Sequence, residues 1–124
     1  MSCSASYHGG SIHIDTMNNE VMISNNVISK SVASDGGGIY IYNKNRNLVL
    51  RENIFNDSSA DNDGGAVLLY ENNDRLAVYS NTFDNCRAID RGGGIMFSDS
   101  NIQVSFTGNL FNNCSSMQWW RIIF

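Results

Sequence analysis

Four aspartates precede the glycine runs of this chain, and they are the residues best suited to chemistry on a sugar or a metal ion. They are Asp35, Asp61, Asp63 and Asp90. Clustered carboxylates can serve as general acid and base on a polysaccharide, and the oxygens of Asp61-Asn62-Asp63 could hold a Ca²⁺ ion. Asp and Asn before Gly are also ordinary turn residues. The turn interpretation is favoured, so no catalytic residue or cofactor is assigned, and Asp61 and Asp63 are kept as Ca²⁺ candidates.

A second kind of site is a binding surface made of aromatic and apolar side chains. These side chains follow the glycine runs at alternating positions: Tyr40, Tyr42, Leu68, Tyr70 and Met96. Alternation along a strand directs them to one face, here the outward one. Exposed apolar patches often mark contacts, and tyrosines can stack on sugar rings or on a partner protein. The alternative is that cross-strand aromatic neighbours stabilise a solvent face, and both interpretations stay open.

Two of the three cysteines, Cys86 and Cys114, lie one repeat apart. A Cα separation of about 4.8 Å between stacked neighbours would permit a disulfide. Two small buried thiols beside Ser31 and Ser58 are the favoured interpretation. Cys3 has no assigned partner, and these spacings match no metal motif.

A four-fold repeat must position all of these residues. Its copies begin Gly9-Gly10-Ser11-Ile12, Gly36-Gly37-Gly38-Ile39, Gly64-Gly65-Ala66-Val67 and Gly92-Gly93-Gly94-Ile95, with first glycines 27, 28 and 28 residues apart. Within each copy the apolar residues come in pairs two apart, which is strand periodicity. Several short strands in a period of this length are typical of one turn of a parallel β-coil.

Two further rows of equivalent residues support stacked coils. Fourteen residues after the first apolar residue of each copy stand Asn26, Asn53, Asn81 and Asn109, and two residues later stand Ile28, Phe55, Phe83 and Phe111. Stacked asparagines can hydrogen-bond along the axis because an amide both donates and accepts. Stacked phenylalanines add aromatic contact to area burial.

The sequence therefore predicts an all-β fold, a right-handed single-stranded parallel β-helix of about four coils of 27–28 residues with three short strands each. Right-handedness follows from the strong bias of parallel crossovers. An antiparallel sandwich would explain neither the constant period nor the rows. The coils would span residues 9–35, 36–63, 64–91 and 92–118. Residues 1–8 form a short lead-in, and residues 119–124 an apolar tail that is a cap or a truncated fifth coil.

Charge and composition limit the classes of partner that this chain is expected to bind. A net charge of −4 with only eight Lys and Arg argues against nucleic-acid binding. No apolar run is long enough to span a membrane, and the sequence as given starts without a signal peptide. The ends of the coil stack look bare, which predicts end-to-end self-association through unpaired strand edges.

The Gly-Gly-[Ser/Gly/Ala]-[Ile/Val] motif with a downstream Asn-x-Phe resembles the repeat of chlamydial polymorphic outer-membrane proteins, which also occurs in some protist surface proteins. The resemblance covers residues 9–116. The family's asparagine three residues after the phenylalanine is Ser58, Cys86 or Cys114 here. The architecture is also similar to that of the pectate-lyase-like superfamily.

The first resemblance implies a non-enzymatic module or fragment of a secreted or cell-surface protein that adheres to a partner protein or glycan. Its location would be extracellular or at the cell surface as part of a longer chain. The second resemblance implies the alternative of a carbohydrate-active lyase- or hydrolase-like protein. A truncated remnant without activity is the remaining interpretation.

Overall fold

The structure of the chain is a computed structural model, and it describes residues 2–117. Fifteen short β-strands make up the regular secondary structure of that range. The first coil contains β1 (Ile12–Ile14), β2 (Met22–Ser24), β3 (Val27–Ser29) and β4 (Val32–Ala33); the second contains β5 (Ile39–Ile41), β6 (Arg46–Arg51), β7 (Ile54–Asn56) and β8 (Ser59–Ala60). The third contains β9 (Val67–Leu69), β10 (Asp74–Tyr79), β11 (Thr82–Asp84) and β12 (Arg87–Ala88); the fourth contains β13 (Ile95–Phe97), β14 (Ile102–Thr107) and β15 (Leu110–Asn112).

Each strand pairs with its equivalent in the next coil. The resulting sheets have the orders β1-β5-β9-β13, β2-β6-β10-β14, β3-β7-β11-β15 and β4-β8-β12. The pairs are parallel and in register, so that Ile12 lies opposite Ile39 and Phe55 opposite Phe83. The prediction of an all-β chain coiled into a parallel solenoid of about four turns is confirmed.

The coils differ from the expectation in one respect, because the first three carry a fourth strand. This strand has only two residues, one of them a buried alanine: Ala33, Ala60 or Ala88. A two-residue strand is too short to show periodicity, so three strands per coil was the most that the pattern could indicate. The segment before the first glycines also joins the stack, since Ser4 and His8 form parallel bridges to Val32 and Asp35.

The inward side chains form one core that runs through all coils. Phe55 and Phe83 are fully buried. Their ring centroids lie 5.0 Å apart with planes 3° from parallel, and Phe83 stacks on Phe111 at 4.7 Å and 4°. Offset aromatic stacking of this kind adds stabilisation beyond the buried area.

Asparagine side chains run up two corners of the coil. In the row noted from the sequence, the Nδ2 of each residue donates to the Oδ1 of the next, at 3.1 Å from Asn26 to Asn53 and from Asn53 to Asn81, and at 3.0 Å from Asn81 to Asn109. A second row, Asn18, Asn45, Asn73 and Asn101, makes the same bonds at 3.0–3.1 Å. This second row was not predicted, although each member lies six residues after the first apolar residue of its copy.

Steric constraints explain both the backbone conformation at the corners and the presence of the glycine runs. The corner residues Asn25, Glu52, Ser80 and Gly108 share φ values of 54–63°, the left-handed region, which costs an L-residue about 1–2 kcal/mol. Gly65 is required for a different reason. A Cβ there would lie 2.0 Å from the carbonyl oxygen of Gly93, because the backbones of neighbouring coils approach closely at this position.

Candidate functional site

The outward face of the first sheet carries most of the residues predicted to bind. Register places Tyr40 opposite Leu68, and Leu68 opposite Met96. The expectation that these three line an exposed stripe is wrong, because their relative exposures are 4%, 2% and 1%. They form a second hydrophobic cluster outside the main core, and Tyr42 and Tyr70 pack against it half-buried. Of the five predicted residues, only Tyr42 and Tyr70 remain accessible to a ligand.

Aromatic rings gather over this cluster, and we call His8, His13, Tyr40, Tyr42 and Tyr70 the aromatic face. The Tyr42 and Tyr70 centroids lie 5.6 Å apart with planes 18° from parallel. His8 stacks on Tyr40 at 4.2 Å and 15°, and His13 meets the same ring edge-on at 5.2 Å. The stacking of His8 is one reason why Tyr40 is covered, and strand alternation could not indicate it.

The phenols of Tyr40 and Tyr70 stay protonated and neutral. Burial raises the pKa of Tyr40 far above its ordinary value, and the negative charge of the Asp35 carboxylate adds to the shift. The neighbouring Glu71 carboxylate raises the pKa of Tyr70, with partial burial as a smaller cause. Each phenol can therefore donate a hydrogen bond beside a carboxylate. Neither is activated as a base or nucleophile, because both shifts run away from the phenolate.

A row of polar side chains, which shares His8 with the aromatic face, stands at the residue directly before each glycine run: His8, Asp35, Asp63 and Arg91. Arg91 binds Asp63 through two hydrogen bonds, Nε to Oδ1 at 3.0 Å and Nη2 to Oδ2 at 2.6 Å. The Asp63 N–H donates to Asp35 Oδ1 at 3.3 Å, and His8 Nε2 lies 3.8 Å from Asp35 Oδ2. The 27- and 28-residue spacing of these residues could have revealed the row from the sequence.

The Ca²⁺ candidates Asp61 and Asp63 differ in burial and in their side-chain partners. Asp63 is buried and paired with Arg91, whereas Asp61 is exposed. A cation would have to displace the guanidinium before Asp63 could bind it. Within residues 2–117, no three His, Cys, Asp or Glu side chains are grouped so as to hold a metal ion. Another turn aspartate, Asp90, takes part in the bonding between coils, because its backbone N–H donates to the carbonyl oxygen of Asn62 at 2.9 Å.

Parallel sheets stacked in register around one core define the chain as a β-solenoid protein. More narrowly, the chain belongs to the family described as right-handed beta helix region, which matches residues 2–119. The match agrees with the right-handed winding and with the architecture of the pectate-lyase-like superfamily. The likeness to the polymorphic outer-membrane repeat stays a prediction. The searches found no matching curated protein and no matching solved structure.

In the part of the chain that the structure describes, no helix is long and apolar enough to cross a membrane.

Proposed function

We propose that this chain is a non-enzymatic β-helix module of a secreted or cell-surface protein, and that it binds a glycan or a partner protein through Tyr42 and Tyr70. The observation that carries the proposal is that these two rings, held 5.6 Å apart, are half-exposed over a buried cluster of Tyr40, Leu68 and Met96. Packing against a rigid base means that little side-chain freedom is left to lose on binding. The resemblance to surface-protein repeats points in the same direction.

Charge favours a neutral or cationic ligand over a polyuronate. Glu71 adjoins Tyr70 closely enough to raise the pKa of its phenol, and the whole chain carries a net charge of −4. An acidic polymer would meet like charge at this face. A neutral sugar could accept a hydrogen bond from the Tyr70 phenol and contact the surfaces of both rings.

The test compares a Tyr42→Ser, Tyr70→Ser double variant with the parent chain and with Tyr79→Ser. Tyr79 is also half-buried but ends β10 on another sheet, so its replacement is the matched control. We expect the double variant to lose at least about ten-fold in affinity for neutral glycans or cell surfaces, as for the loss of aromatic anchors, while Tyr79→Ser binds like the parent.

Far-UV circular dichroism shows whether each variant keeps its coil. Binding by the folded double variant at the parent's affinity would refute the assignment of this face. Treating the cells with glycosidases or with proteases before the assay separates a glycan partner from a protein partner.

A further inference from the structure

A row of small residues runs up the coil, and three of its members are thiols, two of which, Cys86 and Cys114, lie in adjacent coils. The row is Cys3, Ser31, Ser58, Cys86 and Cys114. Cys86 lies opposite Cys114 because the pairs on either side, Phe83 with Phe111 and Arg87 with Ser115, are in register. Both cysteines are free thiols. Neighbouring parallel strands lie about 4.8 Å apart, which is within the Cα range that a disulfide spans.

The two thiols point the same way but differ in access. Cys86 Sγ lies 3.6 Å from the carbonyl oxygen of Phe55, and Cys114 Sγ lies 3.4 Å from that of Phe83, the equivalent atom one coil further on. Cys86 is fully buried in the core, whereas Cys114 is partly exposed. A reagent from solvent therefore reaches Cys114 first.

Their mutual contact makes the two thiols chemically unequal. The neighbouring Cys86 thiol stabilises the Cys114 thiolate and lowers the pKa of Cys114 to about 7, against the opposing effects of burial and of the Asp84 carboxylate. The same contact, with burial, raises the pKa of Cys86. A thiol whose pKa is near ambient pH is the best placed to attack an electrophile.

We propose that Cys114 is a modification site, a nucleophilic thiol that reacts with hydroperoxides, and that Cys86 is its resolving partner. The Cys114 thiolate attacks one peroxide oxygen and the O–O bond breaks. Cys114 becomes a sulfenic acid, and the other oxygen takes up a proton and leaves as an alcohol or water. The Cys86 sulfur then attacks the Cys114 sulfur, and the S–O bond breaks. The thiol proton leaves with the hydroxyl as water, and a disulfide joins coils three and four.

The nucleophile is tested by alkylation kinetics in the full chain, with Cys3→Ser as the background so that only two thiols remain. The rate at which iodoacetamide alkylates Cys114 should rise with pH, with a midpoint near the Cys114 pKa of about 7. Cys86→Ala removes the donor, so the midpoint should move above about 8. The rate at neutral pH should then fall about three- to six-fold, because the loss of thiolate is only partly offset by the higher basicity of the thiolate that remains. Cys86→Ser keeps a hydroxyl donor and should restore the rate. Identical profiles in all three proteins would overturn the proposal.

The disulfide is tested with hydrogen peroxide and mass spectrometry. The folded parent should lose two hydrogens and yield a Cys86–Cys114 cross-linked peptide, which a dithiol reductant reverses. Folded Cys86→Ala should instead accumulate a sulfenic acid at Cys114 that a 1,3-dione traps. Cys114→Ala should leave Cys86 unmodified because of its burial. Oxidation that joins two chains, or that modifies Cys114 no faster than Cys3 in the parent chain, would contradict the pairing.

Discussion

The most informative perturbation of the coil is Asn53→Ala. Asn53 is fully buried. Its Nδ2 donates to Asn81 Oδ1 at 3.1 Å and to the Ile23 carbonyl oxygen at 2.9 Å, while its Oδ1 accepts from the backbone N and the Nδ2 of Asn26 at 3.0 and 3.1 Å. Alanine removes all of these bonds at once. It leaves the Ile23 carbonyl and the Asn26 N–H without their side-chain partner.

The expected loss follows from this count. Each hydrogen bond contributes about 0.5–1.5 kcal/mol net, and an orphaned buried group costs about 1–3 kcal/mol. We therefore expect the free energy of unfolding to fall by about 3–5 kcal/mol. For a domain of this size such a loss lowers Tm by about 10–20 °C.

Asn26→Ala is the matched control, because the same residue type stands at the exposed end of the same row. Its Nδ2 donates to Asn53 Oδ1 and to the Ser24 carbonyl oxygen at 3.0 Å, where water can replace it, so the loss should stay below about 1 kcal/mol. Urea unfolding followed by circular dichroism measures both variants. Equal losses in the two variants would refute the idea that the asparagine row stabilises the coil by satisfying buried backbone groups.

Three further predictions concern packing and charge. Asp63 and Arg91 should show a coupling of about 1–3 kcal/mol in a double-mutant cycle of unfolding, since the pair is bidentate and mostly shielded; a coupling near zero would contradict this. Gly65→Ala should prevent cooperative folding, because its Cβ would lie 2.0 Å from the Gly93 carbonyl oxygen; a thermal transition at the parent's temperature would show that the backbone can move apart. The raised pKa of Tyr40 means that the folded state holds this proton more tightly than the unfolded state. Stability should therefore decline as pH rises above about 10, the pKa of tyrosine in the unfolded chain. Urea midpoints measured from about pH 8 to about pH 11 should decline less for Tyr40→Phe than for the parent. An equal decline in both proteins would show that Tyr40 is not the cause.

The coil itself was predictable from the sequence because stacking in register repeats the environment of each side chain. Phe55, Phe83 and Phe111 share one environment, so one residue type recurs at a constant spacing. Asn45 and Asn73 obey the same rule, and the row that contains them could have been read from the spacing. Corner residues such as Glu52 could not, because glutamate is not a residue type that favours the left-handed conformation it adopts there.

The burial of side chains on the aromatic face was less predictable than the coil. Alternation along β5 and β9 correctly separates the inward Ile41 and Leu69 from the outward Tyr40 and Leu68, yet both outward residues are buried. A period of two identifies the side of a sheet on which a residue lies. It carries no information about which other side chains cover that side, and here the covering residues include Tyr42, on the same face.

Solution NMR of the side-chain amides tests the in-register stacking most directly. We predict through-space contacts from the Asn53 amide protons to both Asn26 and Asn81, and from Asn45 to Asn73, with slow solvent exchange at the buried Asn53 and Asn81. Fast exchange at these buried amides, with contacts only to residues near in sequence, would contradict the stacked coil on which both proposed sites depend.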